Sequence, residues 1–298
     1  MEKENLEYLQ KAVKFAGFGD HFEKDIEAKM KENLDKFDLA ATGEFGKSKV
    51  DYKLEFNKSQ TNDRYYFNRY TATLPNEDPA KTKSQTFFMN SVAPNKDDSE
   101  AVKQMKRKAH GVTAKEAYNL LQGRSVYKTL VNKEKEPYNA WMKLNFSKQD
   151  QYGNNEVKKF TDKYGFDLDK TLDKYPIMGL DDFEKRQQLL LSLEKGNRLQ
   201  VTFEKEGKEE KMLIEANPEY KNLEVYDSKG VRQRVNQSAT RFTASENNTF
   251  SKSASQDNLN GKDASEDSSQ KNGKKELKQN EGVVDAQKKT SQKRGMRA

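Results

Sequence analysis

Two stretches of this chain spell the same succession of elements. Leu120-Leu121-Gln122-Gly123-Arg124-Ser125-Val126 leads through a charged turn to Ala140-Trp141-Met142-Lys143-Leu144-Asn145-Phe146. Leu193-Glu194-Lys195-Gly196-Asn197-Arg198-Leu199 leads through Lys205–Glu209 to Lys211-Met212-Leu213-Ile214-Glu215-Ala216-Asn217-Pro218. Each reads as helix end, glycine, strand, charged turn, strand. A glycine just past the last apolar residue of a helix ends it in the left-handed conformation. The spacing therefore predicts a duplicated α-β-β module over 111–230, with units at about 113–146 and 181–217 and with Gly123, Arg124, Trp141, Gly196 and Arg198 as its defining residues. A repeated small unit of this kind builds a scaffold or binding surface more often than a catalytic pocket.

Upstream, Leu6, Leu9 and Val13 form one stripe of a short helix that Gly17-Phe18-Gly19 ends. Asp20 with Glu23 resembles a capping box, and Phe22, Ile26, Met30 and Leu34 mark a second amphipathic helix. The period then changes to two. Val50, Tyr52, Leu54 and Phe56 alternate with charged residues, a run from Arg64 to Leu74 follows, and Gln85–Met89 makes a third strand. Residues 1–91 thus read as an N-terminal α+β domain, two helices plus an antiparallel meander. Residues 92–110 read as a polar basic linker, and 231–298, dominated by Asn, Ser, Gln, Lys and Gly, as a disordered low-complexity tail. The fold class is α+β throughout.

The chain has no cysteine, which excludes disulfides, thiolate zinc sites and a cysteine nucleophile. Its hydrophobic fraction is 33% and its charged fraction 35%, against about 45–50% and about 25% in typical globular chains. The core is therefore modest and leans on aromatic side chains. No apolar run approaches the roughly eighteen residues of a membrane span, and Met1–Asn5 lacks a leader pattern, so a cytoplasmic, membrane-free protein is expected. The net charge is +7, and more than half of that excess lies after residue 234.

No residue stands out as catalytic, and no metal or cofactor is expected. Ala41-Thr42-Gly43-Glu44-Phe45-Gly46-Lys47-Ser48 matches a relaxed phosphate loop, but strand-like residues follow it where a helix should begin. Asp167, Asp169 and Asp173 lack the glycine and terminal glutamate of a calcium loop. His21 and His110 are too few for a three-histidine site. The best binding candidate is Arg64-Tyr65-Tyr66-Phe67-Asn68-Arg69-Tyr70. On a regular strand Tyr65, Phe67 and Arg69 share one face and Tyr66, Asn68 and Tyr70 the other. Aromatics flanked by Arg64 and Arg69 suit stacking on single-stranded nucleic acid. The alternative is that both faces are covered. Lys103, Lys106, Arg107 and Lys108, and the terminal cluster Lys288, Lys289, Lys293, Arg294 and Arg297, supply further phosphate-binding candidates.

At Gln122-Gly123-Arg124-Ser125-Val126 and Tyr138–Phe146 the chain resembles a domain of unknown function that recurs in proteins of Bacteroidetes conjugative transposons. Tyr164-Gly165-Phe166-Asp167-Leu168 and Lys174-Tyr175-Pro176-Ile177 share that likeness. The resemblance implies a mobile-element setting and transfers no catalytic residue. The expected function is that of a non-enzymatic accessory protein binding single-stranded nucleic acid or a partner protein of the element or its host. One alternative is a purely protein-binding, host-modulating (anti-defence) factor. A second is a carboxylate- or metal-dependent hydrolase or nuclease.

Overall fold

The computed structural model describes residues 2–89, 92–205 and 207–235. It begins with α1 (Glu2–Val13) and α2 (Glu23–Lys31), joined by a π-helical turn at Lys14–Phe18. Leu9, Val13 and Ile26 are fully buried, as the helical spacing requires. The expected capping box at Asp20 does not form. The N-cap of α2 is Phe22, and Asp20 pairs with Lys14 at 3.3 Å instead.

Four antiparallel strands follow in chain order, β1 (Lys36–Phe45), β2 (Ser48–Lys58), β3 (Tyr65–Leu74) and β4 (Lys83–Phe88). The phosphate-loop look-alike is the β1–β2 hairpin, with Phe45 paired to Ser48 across its turn. Where the composition points to a linker, α3 (Glu100–Lys108) stands. The Ser99 hydroxyl accepts the Val102 N–H at 3.3 Å and opens this helix as an N-cap.

The duplicated module has the repeated shape that its spelling predicts, with one more strand in each copy. The first is α4 (Ala114–Leu121), β5 (Val126–Val131), β6 (Pro137–Gln149) and β7 (Asn155–Thr161). The second is α6 (Phe183–Glu194), β8 (Leu199–Lys205), β9 (Lys208–Asn217) and β10 (Asn222–Tyr226), to which β11 (Arg232–Gln233) adds a short edge. A one-turn helix, α5 (Leu168–Leu172), lies between them. The expected tail thus opens with β11, and its residues 236–298 lie outside the described residues.

The two helix ends share their glycine geometry and two backbone bonds. Gly123 and Gly196 have φ of 84° and 77°. The Gly123 N–H donates to Leu120 O and the Gly196 N–H to Leu193 O, both at 2.9 Å. The Arg124 N–H reaches Asn119 O and the Asn197 N–H reaches Ser192 O. Asn197 is therefore the counterpart of Arg124, and Arg198 stands at the place of Ser125. Arg198 does different work: its Nε donates to Glu215 at 3.0 Å and its guanidinium lies 4.0 Å from the Tyr226 ring centre.

The sheet β5-β6-β7 is the middle layer, and strand alternation gives it two buried faces. Val126, Met142 and Leu144 join a core with Phe67, Tyr70, Phe87 and the α4 residues Leu120 and Leu121. Tyr127, Trp141 and Phe160 face the other way, into a core with Leu172, Ile177, Leu193 and Ile214. The first core crosses the expected domain boundary without a break. Two buried tyrosines fix the junction: Tyr70 donates to Val112 O at 2.6 Å and Tyr52 to Ala114 O at 2.8 Å.

The capping box at Thr113 forms and does a second job. Glu116 accepts the Thr113 N–H at 2.8 Å and also holds Lys128 of β5 at 3.0 Å, with both side chains under 10% exposed. The two units meet at Asn119, which is fully buried. Its amide donates to the C-terminal carbonyl of Lys195 at 2.6 Å and to Asn197 Oδ1 at 3.0 Å. A side chain of α4 thereby caps α6, at a terminus whose carbonyls have no partner within their own helix.

Candidate nucleic-acid interface

Strand β3 carries the aromatic run, but its side chains do not alternate regularly. The pairing with β2 slips between Glu55 and Phe56, so that Glu55 faces Arg69 and Phe56 faces Phe67. Asn68 is the extra residue of a β-bulge. Tyr65, Phe67 and Tyr70 consequently all point inward, at 3%, 5% and 0% exposure. This corrects the strand-face expectation: Tyr65 and Phe67 are core residues and offer no stacking surface. Tyr65 donates to Leu34 O at 2.7 Å, and Phe67 stacks on Phe56 with centroids 5.1 Å apart. The outer face of the sheet is a ladder of polar pairs. Arg69 bonds Glu55, Lys53 bonds Asp38 at 2.9 Å, and Thr71 and Thr86 share a hydrogen bond at 3.0 Å.

The expected cations divide. Arg64 lies 3.8 Å from Glu4. On α3, Lys103 pairs with Glu100 at 3.0 Å, and Lys106 is buried against Asp98 at 2.8 Å. Arg107 and Lys108 are exposed. The cluster Lys288, Lys289, Lys293, Arg294 and Arg297 lies outside the described residues. Trp141 is in the core at 4% exposure.

A different surface collects aromatics and cations together. Past the end of β4 an open groove of about 830 Å³ separates the start of β3 from β5 and β7. Buried Phe67, Phe87 and Met142 contribute to its floor. Tyr8 is 46% exposed and Phe88 55% exposed on its rim, and Tyr66 meets Tyr8 edge to face at 6.2 Å. Lys128, Lys135, Lys159 and His110 also line it, and among the described residues no carboxylate does. Lys128 is committed to Glu116. Lys135 and Lys159 are exposed and, among the described residues, form no ion pair. His110 keeps an exposed surface, yet crowding by its neighbours and the charge of Lys128 hold its imidazole below the usual histidine range. At neutral pH it is an uncharged donor and acceptor.

Gly111 forms the wall behind Phe88. A Cβ there would stand 2.8 Å from the Phe88 carbonyl oxygen, so only glycine lets the chain pass this close. Of the aromatics on the groove's rim, Tyr8, Tyr66 and Phe88, only Tyr66 lies within the run singled out by sequence. Tyr8 sits on a helix, and Phe88 and Lys159 come from two strands whose adjacency only the fold supplies.

Among the described residues no three metal-ligating side chains converge, and no helix is long and apolar enough to cross a membrane. Comparison with protein-family models, curated proteins and solved structures returns no match.

Proposed function

We propose that this chain is a non-enzymatic accessory protein that holds single-stranded nucleic acid in the groove between β3–β4 and β5–β7. The observation that supports this reading is the lining: lysines, a histidine and exposed aromatics with, among the described residues, no carboxylate. Exposed rings accept bases by stacking, at about 1–3 kcal/mol per base, while Lys135 and Lys159 neutralise phosphates. The mobile-element setting rests on the resemblance around Gly123 and joins the proposal on that footing.

The test is anisotropy of a labelled oligothymidylate at several salt concentrations. Affinity should fall with salt, and Lys159→Gln should reduce the slope by about 0.7, the share of one phosphate on a single strand. Tyr66→Ala should weaken binding about tenfold, or roughly 1.4 kcal/mol, within the range for one stacked base. Affinity that is absent at low salt, or indifferent to salt and to both substitutions, removes the reading.

A second reading, capture of a partner protein, draws on α6, where Phe183 and Leu191 are 73% and 56% exposed. It predicts a partner retained from nuclease-treated host lysate and lost in Leu191→Asp.

A further inference from the structure

The opposite face of the middle sheet borders a second concavity, of about 760 Å³, closed on its far side by α5 and α6. Its walls are aromatic and apolar. Tyr127 and Trp141 have centroids 5.3 Å apart, Phe166 stands edge-on to Trp141 at 5.4 Å, and Leu190 of α6 completes the lining.

The polar groups in this cavity are unequal in their commitments. Asp167 pairs with Lys170 at 3.0 Å, and Asp169 with Arg186 at 2.6 Å. Asp162 accepts the Tyr127 hydroxyl at 3.2 Å and keeps its remaining lone pairs. Glu194, in the last turn of α6, is half-buried. Among the described residues it has neither a hydrogen bond nor an ion pair. Of the lysines at the rim, Lys170 is held by Asp167, Lys221 lies over the Tyr164 ring at 4.6 Å, and Lys174 is exposed.

We propose that this cavity binds a small organic ammonium ion, an amine joined to an apolar or aromatic body, with the charged group between Glu194 and Asp162 and the body against Tyr127, Phe166 and Leu190. A partly dehydrated carboxylate with neither a hydrogen bond nor an ion pair is costly, and a native structure that keeps one invites an explanation. Burial pushes the Glu194 carboxyl above its ordinary range, and Lys108 offsets this only in part. A cation beside it removes that cost. Aromatic faces add a further attraction for ammonium, and Trp gives the strongest of them. The body of such a ligand replaces water along the apolar wall. This inference stands apart from the groove on the other face and survives the failure of that reading.

Trp141 is the only tryptophan in the chain and lines this cavity, so no second indole contributes to its emission. The experiment titrates the full chain with benzylamine, benzyl alcohol and benzoate, one ring carrying three charges. Benzylamine should change the Trp141 emission saturably and bind at least about tenfold more tightly than the alcohol, a difference of roughly 1.4 kcal/mol, with benzoate weakest. Glu194→Gln should erase the preference for the amine over the alcohol. Because that substitution removes a half-buried charge that makes no hydrogen bond or ion pair, its thermal midpoint should equal or exceed that of the parent, which separates lost binding from lost folding. Benzylamine should also raise the thermal midpoint of the parent and not of Glu194→Gln. No saturable change with benzylamine, equal binding of amine and alcohol, tighter binding of benzoate, or a preference that persists in Glu194→Gln overturns the proposal.

Discussion

Gly123 and Gly196 share one backbone geometry and differ in what surrounds them. A Cβ on Gly123 would find its nearest neighbour at 3.8 Å, on the Phe146 ring. On Gly196 it would stand 2.8 Å from the Ser125 carbonyl oxygen and 3.1 Å from Asn119 Cβ. The first substitution therefore carries only the left-handed penalty of roughly 1–2 kcal/mol. The second adds a collision with backbone that belongs to the other unit, where overpacking costs a further ~1–3 kcal/mol. Gly196→Ala should lower the thermal midpoint by at least about 2 °C more than Gly123→Ala does, since each kcal/mol is worth about 2–4 °C at this size. Equal midpoints would mean that the two helix ends do not touch in solution. Both glycines were legible from spacing, but their contact was not, because Asn119 is an unremarkable residue on the apolar side of a helix until Lys195 lies against it. The same limit applies to Tyr65 and Phe67. Period-two alternation assigns their faces correctly up to a bulge, and nothing in Phe67-Asn68-Arg69 announces one.

At the scale of elements, those legible in the sequence have an apolar period or a cap, among them α1, α2, α4, α6, β2, β3, β4 and the Thr113 box. The strand β1 was not, because Asp38, Ala40, Thr42 and Glu44 leave only small or polar groups beside Phe37 and Leu39. Neither was α3, which buries Lys106 and is held by Asp98 as much as by apolar surface. The third strand of each repeat lies beyond the unit that spacing marks out, since connections of unequal length hide the common meander. One contact between elements has a pH signature. Glu219, after β9, receives Lys158 of β7 at 2.6 Å and Lys143 of β6 at 3.0 Å, and these ammonium groups hold its carboxyl below the usual range. A carboxyl lowered on folding contributes stability in full above its unfolded value, about 4.3 for glutamate, and loses it as pH falls through the lowered folded value. Urea midpoints should therefore favour the parent over Glu219→Gln at neutral pH. The gap should close as the solution is acidified below that range, and a gap constant with pH would show that the two lysines do not act on this carboxyl.

For the whole molecule, the placement of the cores decides what can fold alone. The composition along the chain puts a boundary in the polar segment 92–110, because charged and polar residues interrupt the apolar pattern there. The packing ignores that interruption. Phe67, Tyr70 and Phe87 from before it share one core with Leu120, Leu121 and Met142 from after it, and the tyrosine bonds to Val112 O and Ala114 O cross it as well. Removing residues 1–91 would expose the α4 face and one side of the middle sheet. Each large side chain so uncovered forfeits about 1.5–3 kcal/mol, and several at once exceed the 5–15 kcal/mol by which a domain is stable. A fragment of residues 111–235 should therefore aggregate or lack dispersed amide resonances, and a fragment of residues 1–91 should fare no better. Residues 1–235 should fold and unfold in one transition, followed alike by Trp141 emission and far-ultraviolet dichroism. Two separated transitions, or a well-dispersed spectrum from the 111–235 fragment, would return the boundary to the place where composition alone puts it. The consequence reaches the groove, whose two walls come from opposite sides of that boundary: any nucleic-acid affinity of the groove should vanish from both fragments and be retained in residues 1–235.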